Sequence, residues 1–438
     1  MEKKINGKNI GQKSKSWMRL DNAAKIYPAA KNRNWTALFR ISAEFTEKID
    51  VAALEEAQKN VLTRFPHYAQ RLKKGLFWYY LEQNDGMPAV TEDVGNPCVR
   101  MNLCENKRFM FRVRYYDKRI AVEIFHVLAD GTGGLCFLKT LAAEYLKIRY
   151  GADIPRGNGI LDCTEPPKKS DIEDAYLKYA RKTTNSRTEK KAYYIKGTDE
   201  PIDVVHITTG IIPVEDVLEK AKCTGVTLNE YLTAVMIAVI DKMQREEKKG
   251  KFLRGLKPIK INVPVDLRKF YDTNTLRNFA LFVNPGIDPR YGEYSFEEIL
   301  KIVHCYMGLE ATEKMLNAKF SANVNNEKLK LLRITPLFIK NAVMKMLYIV
   351  WGDRQTSTTI SNLGRVELPE EMAKYVTRMD FILGPLLKNR DVCAALSYNG
   401  TLYLNFTRTI AEPTLEREFF RYLVKQGIHV KIESNQTY

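Results

Sequence analysis

The sequence predicts a mixed α/β protein made of two halves of similar size. Strand-like and helix-like patterns alternate from end to end. A polar stretch short of core residues interrupts them near the middle. The chain has 438 residues and is 45% hydrophobic, enough material for two cores of ordinary size.

Trp35–Phe45 is rich in aromatic and β-branched residues and reads as a strand. Asp50 is placed to cap a helix whose Leu54, Ala57, Val61 and Phe65 recur at helical spacing. Phe77–Leu81, Phe109–Tyr116 and Arg119–His126 read as strands, and Thr132–Arg149 as an amphipathic helix carrying Leu135, Leu138, Ala142 and Tyr145. Residues 164–200 are charged and polar, so the expected division is a first subdomain over 1–165, a connector over 166–200 and a second subdomain over 201–438. Strands resume at Asp203–Ile212 and Lys257–Val265, with helices over Leu228–Glu247 and around Phe296–Met307. Asn399-Gly400 joins Val392–Ser397 to Thr401–Phe406 as a hairpin, since that pair suits a type I′ turn. An amphipathic helix over Leu415–Val424 follows. No residue-level repeat relates the halves.

Lysine and arginine outnumber acidic residues 69 to 52, and the resulting +17 favours anionic partners: phosphates, acidic carrier proteins, nucleic acid or anionic lipid. The charges are scattered, without zinc-finger spacing, an RNA-recognition signature or an arginine-rich tail, so no nucleic-acid partner is expected. Seven cysteines without a Cys-x-x-Cys pair point to reduced thiols and a cytoplasmic setting. The first residues are polar and lysine-rich, unlike a signal peptide. The most apolar run, Pro336–Trp351, contains Lys340, Asn341 and Lys345 and is too short and too charged to span a bilayer. No group of His, Cys, Asp and Glu has ligand spacing, so no metal is expected.

The sharpest chemical feature runs from Ile124 to Gly134. Ile120, Val122, Ile124 and His126 share one strand face, which directs the imidazole inward. The helix starts near Thr132, so Asp130 lies at its N-terminus, where free N–H groups favour a carboxylate. Gly131, Gly133 and Gly134 let backbone approach closely. A lone histidine at a strand end is more often a satisfied core residue than a base, so other segments must decide.

His126, Asp130 and Gly131 match the His-x-x-x-Asp-Gly signature of the superfamily that includes chloramphenicol acetyltransferase, nonribosomal-peptide condensation domains and alcohol acetyltransferases, and the sequence resembles that superfamily. Asn262-Val-Pro-Val-Asp-Leu-Arg268, then Asn278-Phe279, and Thr358-Thr-Ile-Ser-Asn-Leu-Gly364 are similar to stretches of its alcohol-acetyltransferase-like members. Leu20–Pro28 and Gly75–Tyr79 look like the bacterial branch. Phe125 stands where condensation domains usually carry a first histidine, and there is no Asp-Phe-Gly-Trp-Gly element of the plant branch.

The resemblance implies two chloramphenicol-acetyltransferase-like subdomains forming a pseudo-dimer, with the active site in an interfacial tunnel and the chain working as a monomer. It implies acyl transfer, acetyl foremost, from acyl-coenzyme A to an alcohol without an acyl-enzyme. His126 would be the general base, a task suited to a group titrating near neutral pH. Asp130 and Gly131 would organise the loop, with Arg268 as the partner of Asp130. Ser361, Asn362, Gly364 and Asn278 are candidate oxyanion or substrate contacts. Acyl-coenzyme A enters as co-substrate, with no permanently bound cofactor. Two alternatives stay open: a condensation-type reaction using a carrier-protein-bound donor or an amine acceptor, and a non-catalytic binding module of the same fold.

Overall fold

The computed structural model describes residues 16–30, 36–182, 191–248, 255–329, 333–347, 355–386 and 389–436. The first half forms β1 (Trp17–Arg19), α1 (Ile26–Ala30), β2 (Leu38–Phe45), α2 (Val51–Arg64), β3 (Gln70–Lys74), β4 (Tyr79–Gln83) and β5 (Val90–Glu92). It continues through β6 (Phe111–Tyr116), β7 (Arg119–Phe125) and α3 (Gly131–Tyr150) to a short α4 (Ala175–Tyr179). The second half opens with β8 (His206–Pro213), α5 (Val214–Cys223), α6 (Leu228–Glu247), β9 (Ile259–Asp266), β10 (Ala280–Val283) and β11 (Gly286–Ile287). Then come α7 (Phe296–Glu310), α8 (Glu313–Lys328), α9 (Leu337–Leu347), β12 (Thr358–Val366), α10 (Glu370–Ala373) and β13 (Val376–Leu383). The hairpin β14 (Asp391–Tyr398) and β15 (Thr401–Arg408), α11 (Thr414–Lys425) and β16 (Lys431–Ser434) follow.

Local chemistry accounts for the boundaries. The Asp50 carboxylate accepts from the Ala53 N–H at 3.1 Å and starts α2. Thr227 and Glu230 form a reciprocal capping box at the head of α6. Asn399 and Gly400 have φ of 45° and 75°, the positive pair that a type I′ hairpin turn requires. Strand β4 starts at Tyr79 and not at Phe77, because Gly75–Trp78 closes the β3–β4 hairpin through a Gly75 N–H to Trp78 carbonyl bond of 3.0 Å. Trp35 lies outside the described residues.

Strands β13, β2, β7, β6 and β5 form one sheet in that order. A larger sheet runs β10-β9-β12-β14-β15-β8-β16, with β11 also on β9, and β1-β4-β3 form a small third sheet. Strand β13 comes from the 201–438 stretch yet pairs antiparallel with β2, Phe381 facing Ile41 and Met379 facing Ala43. The second half therefore lends one strand to the first sheet, a feature the sequence does not show. The central hairpin β14–β15 of the larger sheet is buried on both faces. Cys393 and Ala395 belong to the core under α6 and α7, while their neighbours Ala394 and Leu396 join the core of α2, α3 and the first sheet. Two-residue alternation makes one strand serve both cores.

The connector bridges the halves. Arg64 of α2 pairs with Asp171 at 2.5 Å, and the Asp171 carbonyl accepts from the Leu276 N–H at 2.8 Å. The apolar run from Pro336 forms α9 as far as Leu347, and residues 348–351 lie outside the described residues. Among the described residues, no single helix is long and apolar enough to cross a membrane. None of the seven cysteines is in a disulfide.

Candidate functional site

His126 leaves the sheet one residue past β7. Its N–H donates to the Ala37 carbonyl at 2.9 Å, and the chain turns into α3 at once. Ile120, Val122 and Ile124 are fully buried, so the strand face that carries the ring points inward. Tyr27 of α1 stacks on the imidazole with centroids 4.9 Å apart and planes 18° apart, and Phe39 meets it edge-on at 5.0 Å. Burial pushes the His126 pKa below its ordinary value, although the Asn278 hydrogen bond and the Asp130 charge oppose the shift. Burial, with the charges of Asp21 and Asp130, pushes the Tyr27 phenol up.

Asn278 decides the tautomer of that ring. Its Nδ2 donates to the His126 carbonyl at 3.0 Å and to Asp21 Oδ2 at 3.2 Å. A carbonyl can only accept, so the amide orientation is fixed and Oδ1 must face the ring. Oδ1 lies 3.1 Å from Nδ1, so Nδ1 carries the proton and Nε2 presents a lone pair. Asp21 is fully buried, accepts from the Ala24 N–H at 2.8 Å and has Arg277 at 3.5 Å. Arg277 in turn donates to the carbonyls of Arg19 and Ile172.

Asp130 caps α3, accepting from the Gly133 N–H at 3.1 Å. It also accepts the Phe279 N–H at 2.8 Å and a fork from Arg268 at 3.0 and 3.1 Å. Arg268 spends its remaining N–H groups on Asp266 Oδ1 (2.9 Å) and the carbonyls of Thr275 (2.8 Å) and Arg277 (2.6 Å). Burial opposes its charge, but Asp130 and Asp266 outweigh burial and raise its pKa. The carboxylate is thus a tie between the helix and the Leu267–Phe279 segment, both its oxygens taken by N–H donors. Nearby, the exposed Thr132 hydroxyl donates to Asp266 at 3.1 Å.

The glycines are required by close approach. A Cβ on Gly133 would sit 2.1 Å from the Leu276 carbonyl oxygen, and one on Gly131 would sit 2.5 Å from Leu363 Cδ2. The second contact sets the Ser361–Gly364 segment of β12 against the first turn of α3. There Asn362 Oδ1 accepts from the Gly364 N–H at 2.7 Å within an irregularity of the β12–β14 pairing, and Gly364 has φ of 79°. Both groups are committed to each other. The half-buried Ser361 hydroxyl takes no hydrogen-bond partner among the described residues.

His126, Asp130, Gly131, Arg268 and Asn278 thus meet at one junction, with the Ser361–Gly364 segment against the same helix start. Asp21, Tyr27, Phe39 and Arg277 were not singled out from sequence. Tyr27 and Asp21 lie in the Leu20–Pro28 stretch noted for its resemblance, but only the fold reveals what they touch.

No family model matches the chain, and no curated protein does. Solved structures share the fold. A trichothecene 15-O-acetyltransferase from Fusarium sporotrichioides aligns with TM-score 0.59 at 11% identity over 95% of this chain and 96% of its own. The starter condensation domain of rhizomide synthetase, solved with C8-CoA and Leu-SNAC, aligns with TM-score 0.58 at 13% identity over 93% of each chain. A wax ester synthase/diacylglycerol acyltransferase from Marinobacter aquaeolei aligns with TM-score 0.52 at 13% identity over 94% of this chain and 100% of its own. At such identities the likeness establishes the two-subdomain α/β architecture of condensation domains and chloramphenicol-acetyltransferase-like enzymes.

Proposed function

We propose that the protein is an acyltransferase that moves an acyl group, acetyl foremost, from acyl-coenzyme A to an alcohol hydroxyl. The observation that carries this reading is the orientation of Asn278, which leaves His126 Nε2 unprotonated and free to act as base. In the proposed reaction Nε2 takes the hydroxyl proton as the oxygen attacks the thioester carbonyl. The tetrahedral oxyanion collapses, the carbon–sulfur bond breaks, and the imidazolium returns its proton to the thiolate. Donor and acceptor would meet in a tunnel between subdomains 1–165 and 201–438, joined by 166–200 and by strand β13, which the second lends to the first.

Asn278 acts in this scheme as a positioning residue, since its amide is occupied by His126 and Asp21. Ser361 is the proposed oxyanion donor, because Asn362 and the Gly364 amide already satisfy each other. Removing such a donor typically costs on the order of a hundredfold or more in turnover. The condensation domains among the fold neighbours support a second reading, in which the donor is carried on a protein-bound phosphopantetheine or the acceptor is an amine.

The test is thiol release from acetyl-coenzyme A with a panel of alcohols and amines, run beside a His126→Ala variant. Release that needs both an acceptor and His126 supports the proposal. Activity with carrier-loaded donor alone moves the protein to the second reading, and release independent of His126 overturns both.

A further inference from the structure

Helix α9 is inverted. At about 100° per residue, Phe338, Ala342, Met346, Ile339 and Val343 fall within an arc of about 140°. All five are exposed, Phe338 by 74% and Met346 by 66%. The polar Lys340 points the other way and is 4% exposed, donating to the Phe77 carbonyl at 3.0 Å and lying 3.6 Å from the centre of the Trp78 ring. A soluble surface helix normally does the opposite, showing charge to water and apolar groups to the core.

The patch extends beyond the helix. The Leu337 N–H donates to the Leu76 carbonyl at 2.9 Å, which seats the β3–β4 hairpin tip at the head of α9 with Leu76 exposed by 74% and Phe77 by 38%. One turn earlier Ile334 is exposed by 66%. Grouped exposed apolar side chains of this kind mark an interaction surface.

Charge identifies the partner. From Lys328 to Gly352 the sequence holds five Lys or Arg and no Asp or Glu. Exposed Lys345 lies at the edge of the apolar arc, exposed Arg333 directly precedes Ile334, and exposed Lys74 lies two residues before Leu76. A second copy seated on this face would set cations against cations around the patch, with no carboxylate between Lys328 and Gly352 to answer them. Apolar side chains ringed by cations suit the boundary between anionic headgroups and acyl chains. We propose that this face of α9, together with the Leu76–Phe77 tip, docks on the surface of an anionic lipid bilayer without crossing it. Helix α9 packs on α1, which carries Tyr27 against His126, so docking sets the candidate site beside the lipid phase.

Binding is read without turnover, so the proposal does not rest on the acyl-transfer reading. The full chain is floated with phosphatidylglycerol-containing vesicles and with pure phosphatidylcholine vesicles. Binding to the anionic vesicles should be the stronger and should weaken with salt. The Phe338→Ser/Met346→Ser variant changes only exposed groups and should keep the wild-type melting curve while losing at least about tenfold in affinity. Lys345→Glu should weaken binding to the anionic vesicles alone. A wild-type chain that stays unbound, or a double variant that binds equally well, overturns the proposal. So does a lipid-free dimer that the double variant converts to monomer, because the face would then belong to a second copy.

Discussion

Replacing Asp130 by Asn tests the tie between the two halves of the site. The carboxylate accepts four hydrogen bonds: from Gly133, from Phe279 and two from Arg268. An amide keeps one acceptor and turns a donor toward groups that can only donate. Asn can keep the helix cap, so the cost is that of breaking the buried charge pair, about 3–5 kcal/mol. Taking roughly 2.1 cal/mol/K per residue over the chain, 3–5 kcal/mol lowers the melting temperature by about 3–5 °C if unfolding is one transition. Calorimetry of Asp130→Asn, Arg268→Met and the double variant measures this. The double variant should be less destabilised than the sum of the singles by about 1–3 kcal/mol, because removing both charges leaves neither unpaired. Unchanged melting in Asp130→Asn, or strictly additive single variants, would refute the reasoning.

Other consequences follow from the same geometry. Because burial lowers the His126 pKa, the acid limb of a kcat/KM against pH profile should have its midpoint below 6.5; a midpoint above 7 contradicts the buried, neutral base. Asn278→Ala should reduce kcat by about tenfold to a hundredfold with little change in KM, since it frees the ring without touching the acceptor. Gly133→Ala forces a methyl onto the Leu276 carbonyl and should cost about 1–3 kcal/mol in denaturant unfolding; a change within error would show that the loop yields. His67 is buried, with neither ring nitrogen bonded among the described residues, and burial, Arg277 and Arg64 lower its pKa to about 3. The unfolded chain binds this proton below about 6.5 and the native state does not, so stability should fall by about 1.4 kcal/mol per pH unit from 6.5 toward 3. His67→Phe should flatten that slope, and an unaltered slope in the variant would assign it elsewhere.

Local signals in the sequence reached most of the regular elements. The helix over Leu228–Glu247 has a capping box at its head and an apolar pattern throughout, and the Asn399-Gly400 turn dictates its own hairpin. Elements held by distant partners were less legible. Strand β13 has ordinary alternation, and only its fit against β2 draws it away from its sequence neighbours into the first sheet. Glu123 lies on what a two-residue period suggests is a solvent face. It is fully buried, answered by Arg40 at 3.2 Å, by Arg112 and by the Cys98 N–H at 2.8 Å, where the chain after β5 reaches over that side.

The candidate site divides in the same way. His126, Asp130 and the glycines are adjacent in the chain, so strand period and helix-start chemistry alone determined an inward imidazole beside a capping carboxylate. The lone pair on Nε2 depends on Asn278, which is 152 residues away, and on Asp21, a further 257 residues from Asn278 along the chain. No local pattern encodes a hydrogen bond across such separations. Packing of the Leu267–Phe279 segment between α3 and the Leu20–Pro28 stretch decided it, through side chains whose sequence neighbours carry no mark of the contact.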